Sequence, residues 1–526
     1  MDKKDEEDIE HVLEPELGGE DETLSGQSQD VSGEIPSAPV AEDATEGASL
    51  KGKTRAGTLW SAIERFSVQG VTFIVLLVMA RLLTPDDYGI VGMIAIFIEV
   101  AQSLVDSGFS QALIRKTDRT EVDNSTVFYF NIVVGLALYA ILFFTAPLIA
   151  RFYDKPEVTP VLIPMIRLLG LSIVINSFVV VQRALFTIKL DFKSQAKASL
   201  GAALSSGFVG IGMALGGCGV WSIAGQQLTN LTVNVGILWI LSGWRPKAMY
   251  SWKSFRYLFG FGSKLAAAGV LETIYRNIYN IAIGKKFLTD QLGYYTRAQQ
   301  FGNFLSSNVT GVLQRVTFPV LCSLQDDDTR LADIYRRFLR LSAFVIFPLM
   351  IGLAALAHPL ILVLLKEKWI FTAGLLQVLC LAMMWYPVHA INLNLLMVKG
   401  RSDLFLGLEV AKKVVGITVM FITIPMGLMA ICWGQVFNSL LALAINTHYT
   451  GKLIGVGLLK QLRDLLPTLF YSFSMGLIVW GVTSLLSADW LRLLIGFPMG
   501  VAYYFTAAYL TRSSDLRELI SFIRKK

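Results

Sequence analysis

Residues 80–89 read ARLLTPDDYG, and 204 positions later residues 284–293 read GKKFLTDQLG. Arg81 falls opposite Lys285, Asp86 opposite Asp290 and Gly89 opposite Gly293, with Tyr88 and Tyr294 beside the glycines. Each stretch closes one long apolar run and opens the next, so the pair marks an internal repeat whose unit is six apolar runs. An even number of crossings gives both copies the same orientation in a membrane. The two halves are then related by an axis along the membrane normal. This predicts an all-α polytopic protein of two six-helix lobes, with a transported molecule seated between them.

Composition agrees. Hydrophobic residues make up 54% of the 526 and charged residues 16%, where a soluble chain carries about 25% charged, and mean hydropathy is +0.55. A string of soluble domains is excluded. Runs long enough to cross a hydrocarbon core about 30 Å thick are expected at 57–82, 88–113, 125–149, 158–181, 196–216, 219–241 and 258–283. They continue at 294–320, 340–365, 370–396, 404–424, 426–447, 465–487 and 489–511, about fourteen helices in all.

Loop charge tests that count. With the N-terminus inside, the inner segments, including Arg115, Lys116, Arg183, Lys253, Arg336, Lys412 and Arg512, hold 30 Lys and Arg. The outer loops, including Arg81, Lys155, Lys285 and Lys368, hold eight. A bias that alternates at every turn follows the positive-inside rule and places both termini in the cytoplasm.

The net charge of +6 conceals two opposed parts: residues 1–50 carry 16 acidic groups against two lysines. That segment has no aromatic residue, cannot bury enough apolar surface to offset its ordering entropy, and reads as disordered. The expected division is a disordered acidic cytoplasmic tail (1–52), a first lobe of helices 1–6 (53–243) and a second lobe of helices 7–12 (244–452). Helices 13 and 14 with a cytoplasmic tail (453–526) complete the chain. Four scattered cysteines and four scattered histidines lack metal-ligand spacing, and no phosphate-binding or hydrolase motif occurs. No enzyme activity, metal or cofactor is expected.

Charge at membrane depth is costly and usually faces a cavity or a partner. In the seventh run, Lys264, Glu272, Arg276 and Asn280 are spaced i, i+8, i+12 and i+16. They drift only about 40° per four residues around a helix and share a stripe, with Asn277 beside it. The first run carries Glu64, Arg65 and Gln69, the fourth Arg167, and the eighth Arg297, Gln299, Gln300, Asn303, Asn308 and Arg315. Two readings coexist: Glu272 and Arg276 neutralise each other at i, i+4 while Arg65 and Lys264 snorkel to an interface, or the set lines a hydrated cavity with surplus positive charge. The second suits an anionic cargo, because arginine grips phosphate oxygens in bidentate fashion.

With these residues laid out, the chain from about 52 to about 510 resembles the Wzx-type polysaccharide transporters, lipid-linked oligosaccharide flippases of the multidrug/oligosaccharidyl-lipid/polysaccharide (MOP) superfamily. The resemblance rests on ARLLTPDDYGIVGM, DSGFSQALIRK (106–116), LGYYTRAQQFGN (292–303), the Pro319 region and LLKEKW (364–369). It is closer to exporters of colanic and teichuronic acid than to drug antiporters. The acidic tail departs from the family pattern.

The resemblance implies a MATE/MOP-like fold opening alternately to each side of a bacterial inner membrane. The cargo would be an undecaprenyl-pyrophosphate-linked oligosaccharide for O-antigen, capsule or exopolysaccharide. Arg276, Lys264, Arg297, Arg167, Asn277, Asn280, Arg65 and Gln69 would line the cargo cavity, and Glu64 and Glu272 would couple transport to protons or sodium, or orient neighbouring cations. A functional monomer is expected, with a polysaccharide polymerase as partner by family analogy and no nucleic acid. The alternatives are a cation-coupled multidrug exporter of the same fold, which needs acidic cavity walls, and a membrane-embedded transferase, which needs a catalytic cluster in its loops.

Overall fold

The computed structural model describes residues 68–106 and 108–524. The acidic tail, Glu64 and Arg65 lie outside the described residues. Helices dominate and no strand occurs among the described residues, as expected where the surrounding lipid offers the backbone no hydrogen bonds.

The first repeat comprises α1 (Val68–Leu82), α2 (Pro85–Asp106), the short α3 (Phe109–Arg115), α4 (Glu121–Tyr153), α5 (Thr159–Ser177), α6 (Val180–Ile188), α7 (Phe192–Leu215) and α8 (Trp221–Ser242). The second comprises α9 (Trp252–Lys286), α10 (Thr289–Ser323), α11 (Asp328–Ala355), α12 (Ala357–Leu365), α13 (Ile370–Met383), α14 (Tyr386–Val398), α15 (Ser402–Thr423) and α16 (Leu428–Ile454). Then follow α17 (Leu458–Ser484), α18 (Asp489–Leu510) and α19 (Ser514–Arg524). Local chemistry starts several of these. Asp191, Ser251 and Asp327 accept hydrogen bonds from the first-turn amides of α7, α9 and α11, and Thr120 with Asp123 forms a capping box on α4.

Helices occupy every expected stretch within the described residues. Among the described residues nine are long and apolar enough to cross a membrane, against the fourteen expected. The shortfall is physical: α8, α9, α10 and α15 carry too many polar side chains, and α1 is described over only 15 residues. Four of these five, α1, α8, α9 and α10, wall the chamber described below.

The repeat is visible in three dimensions. Helices α1 and α9 end at Leu82 and Lys286, and α2 and α10 begin at Pro85 and Thr289, each pair 204 apart. The starts of α2 and α10 cross at two glycines. A Cβ on Gly89 would lie 1.9 Å from the Thr289 carbonyl oxygen, and one on Gly293 would lie 1.9 Å from that of Pro85. Pro85 and Thr289 are themselves repeat mates, so the contact is reciprocal and a local two-fold axis passes through it.

The same reciprocity closes this end of the bundle. Lys155, in the loop after α4, donates to the carbonyl of Phe287 at the end of α9. Lys368, in the turn between α12 and α13, donates to the carbonyl of Leu83 at the end of α1 (2.6 Å). Leu83 and Phe287 are again 204 apart. Each lobe therefore supplies an ammonium to the orphan carbonyls and negative dipole end of the other lobe's first helix. Arg81 adds hydrogen bonds to the Leu364 and Val363 carbonyls, and the Trp369 indole donates to Ala80 (2.8 Å). We call this the latched end.

Away from the latch, α9 leans on the first lobe. Phe255 packs on Phe109 and Phe130, Ser251 N–H donates to Thr126 Oγ1 (3.1 Å), and Gly262 presses on Gly108. Gly108 has φ +74°, and a Cβ there would lie 2.2 Å from the Gly262 oxygen, so glycine is needed twice over. In the second lobe, Arg336 holds Asp464 of α17 in a two-point pair (2.7 and 2.7 Å), while Arg337 and Arg340 tie α19 down through Glu518 and Asp515.

Candidate functional site

Helices α1, α2, α6, α7 and α8 form a cup that α9 and α10 cover, enclosing a chamber of about 860 Å³. It runs from Tyr88 and Arg297 near the latched end to Arg183, Gln195 and Leu238 near the opposite end. No residue of α11–α18 lines it. The repeat explains this one-sidedness. Val75 and Val91 line the chamber, and their mates 204 residues on are Tyr279 and Tyr295. Those tyrosines fill the equivalent space in the second lobe: Tyr295 is fully buried and accepts from Gln435 (3.0 Å), and the Tyr279 hydroxyl meets the Gly416 carbonyl (3.4 Å). Two valines in place of two tyrosines leave the first cup open.

Arg297 is the most constrained cation in the chamber wall. It is 8% exposed, its guanidinium sits 3.5 Å from the centre of the Tyr88 ring, and Nη1 donates to Gln300. Its Nε has no partner, and no carboxylate pairs with it among the described residues. An arginine does not lose its proton to escape such a setting. Burying a charge without a counter-ion costs several kcal/mol, of which stacking on tyrosine returns about 0.5–2. An arriving anion would recover the remainder.

At mid-chamber Glu99 of α2 bridges the lobes, accepting from Asn277 (2.8 Å) and Arg276 (3.1 Å) on α9. Arg276 is 65% exposed, so this pair contributes only about 0–1 kcal/mol and leaves the guanidinium free to trade Glu99 for another anion. Near the opposite end Arg183 donates to Asn176 (3.1 Å) and Asn234 (3.4 Å), and Asn176 donates to Asp106 (2.7 Å). A second chamber of about 700 Å³ lies on the seam between α1 and α10 and shares Val68, Thr72, Leu76, Thr296 and Gln300 with the first. Gln69 and Asn308 pair across this seam (3.0 and 3.4 Å), and Phe73 stacks on Phe304.

Residues 78–374, more than half of the chain, match the family described as polysaccharide biosynthesis protein. The chain belongs to that family. Among curated relatives, the teichuronic acid biosynthesis protein TuaB of Bacillus subtilis is 24% identical over 440 residues, covering 83% of this chain and 90% of its own. The lipopolysaccharide biosynthesis protein WzxC of Escherichia coli is 24% identical over 450 residues, covering 82% and 89%. Among solved structures, the lipid II flippase MurJ in an inward closed conformation superposes with a TM-score of 0.73 over 88% of this chain and all of its own, at 13% identity. An inward-facing MATE multidrug transporter of the MOP superfamily does so with 0.58 over 74% and 98%. The fold is therefore that of the MOP transporters, a multi-pass membrane architecture.

Within this polysaccharide biosynthesis protein the side chains expected at the cavity divide. Arg297, Asn277 and Asn280 line the main chamber, and Gln69 and Arg276 line the seam chamber. Arg167 does not reach either one: its guanidinium lies 4.3 Å from the Phe143 ring, on the packing seam of α4 and α5. Lys264 is exposed and lines neither chamber, because the part of α9 that carries it leans on α3 and α4. Glu272 and Arg276 do not neutralise each other. Glu272 pairs with Lys413 of α15 (2.6 Å) and Arg276 with Glu99, since both side chains point to neighbouring helices rather than along their own.

Arg183, counted among the inner loop charges, is a chamber residue instead. The chain breaks at Phe178 and Val179, and α6 turns the side chain inward. The carboxamides of α8, Gln226, Gln227, Asn230 and Asn234, stand at helical spacing in the sequence and also line the chamber. His389 is half-buried, with Nε2 3.0 Å from Ser439 Oγ.

Proposed function

We propose that this protein flips an undecaprenyl-pyrophosphate-linked oligosaccharide from the cytoplasmic to the outer leaflet of a bacterial inner membrane by alternating access. Arg297 carries this reading: a buried guanidinium without a counter-ion among the described residues, at the latched end of a polar chamber, suits a pyrophosphate. The names of TuaB, WzxC and MurJ point the same way. The loop-charge bias supports cytoplasmic termini and a latched end outside, so the chamber would load from the cytoplasmic side and empty when the latch parts.

Both lobes belong to one chain, so a monomer suffices, and a polymerase would take the delivered repeat unit. Glu272, and beyond it Glu99 at the lobe bridge, are the carboxylates to test for proton or sodium coupling.

The test is Arg297→Gln in cells whose surface polysaccharide depends on this protein. A fall of about tenfold or more in surface polysaccharide, at normal membrane levels of the variant, is expected for the loss of one charge-assisted contact of about 1.5–3 kcal/mol. Normal polysaccharide in that variant would remove Arg297 from the mechanism, and cationic-dye efflux by the parent protein would favour drug export.

A further inference from the structure

The chamber wall contributed by α7 and α8 differs in kind from the wall around Arg297. Along α8, Gln226, Gln227, Asn230 and Asn234 form one stripe, and α7 adds Gln195 and Ser199. Neither helix contributes a carboxylate to the lining. Gln226 and Gln227 have no hydrogen-bond partner among the described residues, and the buried Nε2 of Gln195 has none either. Asn230 is held in place, its Nδ2 donating to Ser206 Oγ (3.1 Å).

Gln227 and Asn230 are exposed to the chamber and Gln226 is half-buried, so these amides are available to a ligand. Each carboxamide presents donors and an acceptor without charge, the pattern that neighbouring sugar hydroxyls require. A cation would call for carboxylates and a phosphate for more guanidinium groups; an apolar ligand would leave the amides unpaired.

The amides share this chamber with Arg297, so a hydroxyl-binding wall and an anion site stand in one cavity, as a sugar and its pyrophosphate stand together in the cargo.

We infer that the α7–α8 amide wall is the sugar-recognition subsite, selecting uncharged, hydroxyl-rich sugars next to the anion held at Arg297. The inference rests on the proposed flippase function and names the part of the cargo that these residues read. At about 860 Å³ the chamber is in the range of pockets that enclose a drug-sized ligand, about 300–1,000 Å³, which fits a few sugar units.

Native mass spectrometry of the full chain in mild detergent tests it with two probes. One is undecaprenyl pyrophosphate; the other is the glycosylated lipid extracted from cells in which the protein has been inactivated. The parent protein should prefer the glycosylated lipid. In Gln227→Leu/Asn230→Leu that preference should fall about tenfold, the loss of two neutral hydrogen bonds. Gln227→Leu alone, at an exposed wall position, should show part of the fall if the double variant folds poorly. Arg297→Gln should weaken both probes together and keep their ratio. An unaltered ratio in the Gln227 variants overturns the sugar subsite. A parent protein that retains neither probe overturns the flippase reading instead.

Discussion

The two halves of the molecule share a repeat of 204 residues, yet one is hollow and the other filled. Val75 and Val91 leave the first cup open to a polar chamber, whereas Tyr279 and Tyr295, at the equivalent positions, plug the second. The second lobe also carries the more completely buried helices: most of α13 and α14 is out of contact with solvent or lipid, while α8 buries only Ser222, Ile223, Ala224 and Leu238. The lesson is that a duplicated backbone supplies symmetric hinges and crossings, and side-chain volume decides which copy carries the site. The reciprocal glycine crossing and the reciprocal lysine caps are what the copies kept in common.

The largest effect should come from breaking what the lobes share. Gly89→Val or Gly293→Val places side-chain carbon where a carbonyl oxygen stands 1.9 Å away. Overpacking costs about 1–3 kcal/mol and occasionally more, and here the obstacle is backbone that cannot swing aside. Neither variant should give a monodisperse protein on size-exclusion chromatography, and a well-behaved Gly89→Val would show that the crossing can open without cost.

Swapping the fillers tests the difference between the lobes directly. Val91→Tyr should close the chamber and abolish polysaccharide export while the melting temperature changes little. Tyr295→Val should instead leave a cavity in the second lobe, lower stability by about 2–4 kcal/mol and spare most of the export. If the two substitutions had the same effect on export, the chamber of the first lobe would not be the site of transport.

The smallest effect belongs to the latch. Lys155→Met and Lys368→Met each remove one cap from a helix C-terminus, worth about 0.3–1 kcal/mol. Each should modestly raise the reactivity, towards a membrane-impermeant thiol reagent, of a cysteine placed at Leu83 or Phe287. Equal increases from the two variants would support the two-fold character of the latch; an increase from only one would show that the lobes do not share the closure.

Much of the fold was legible. The apolar runs and the offset between Ala80–Gly89 and Gly284–Gly293 foretold the helices and the parallel repeat, because lipid permits so few alternatives to a helix. The site was legible only in part. Arg297, Asn277 and Asn280, conspicuous as polar residues deep in apolar runs, line the main chamber. Arg167 and Lys264 were equally conspicuous and yet lie off the chambers, since one stacks on Phe143 of a neighbouring helix and the other sits on the exposed side of α9. Arg183 looked like a loop charge until the break at Phe178–Val179 turned α6. The α8 amides are inconspicuous in the sequence because carboxamides lower hydropathy without announcing charge.

The sequence by itself determined the membrane class, the helical content, the repeat and the family, all of which depend on composition and periodicity summed over many residues. Only the tertiary structure decided which lobe is hollow, which arginine stacks on a tyrosine ring and which lysine caps which helix. Those outcomes turn on where a few side chains meet across helices hundreds of residues apart, and the rotation of each helix about its own axis is set by packing rather than by any local pattern.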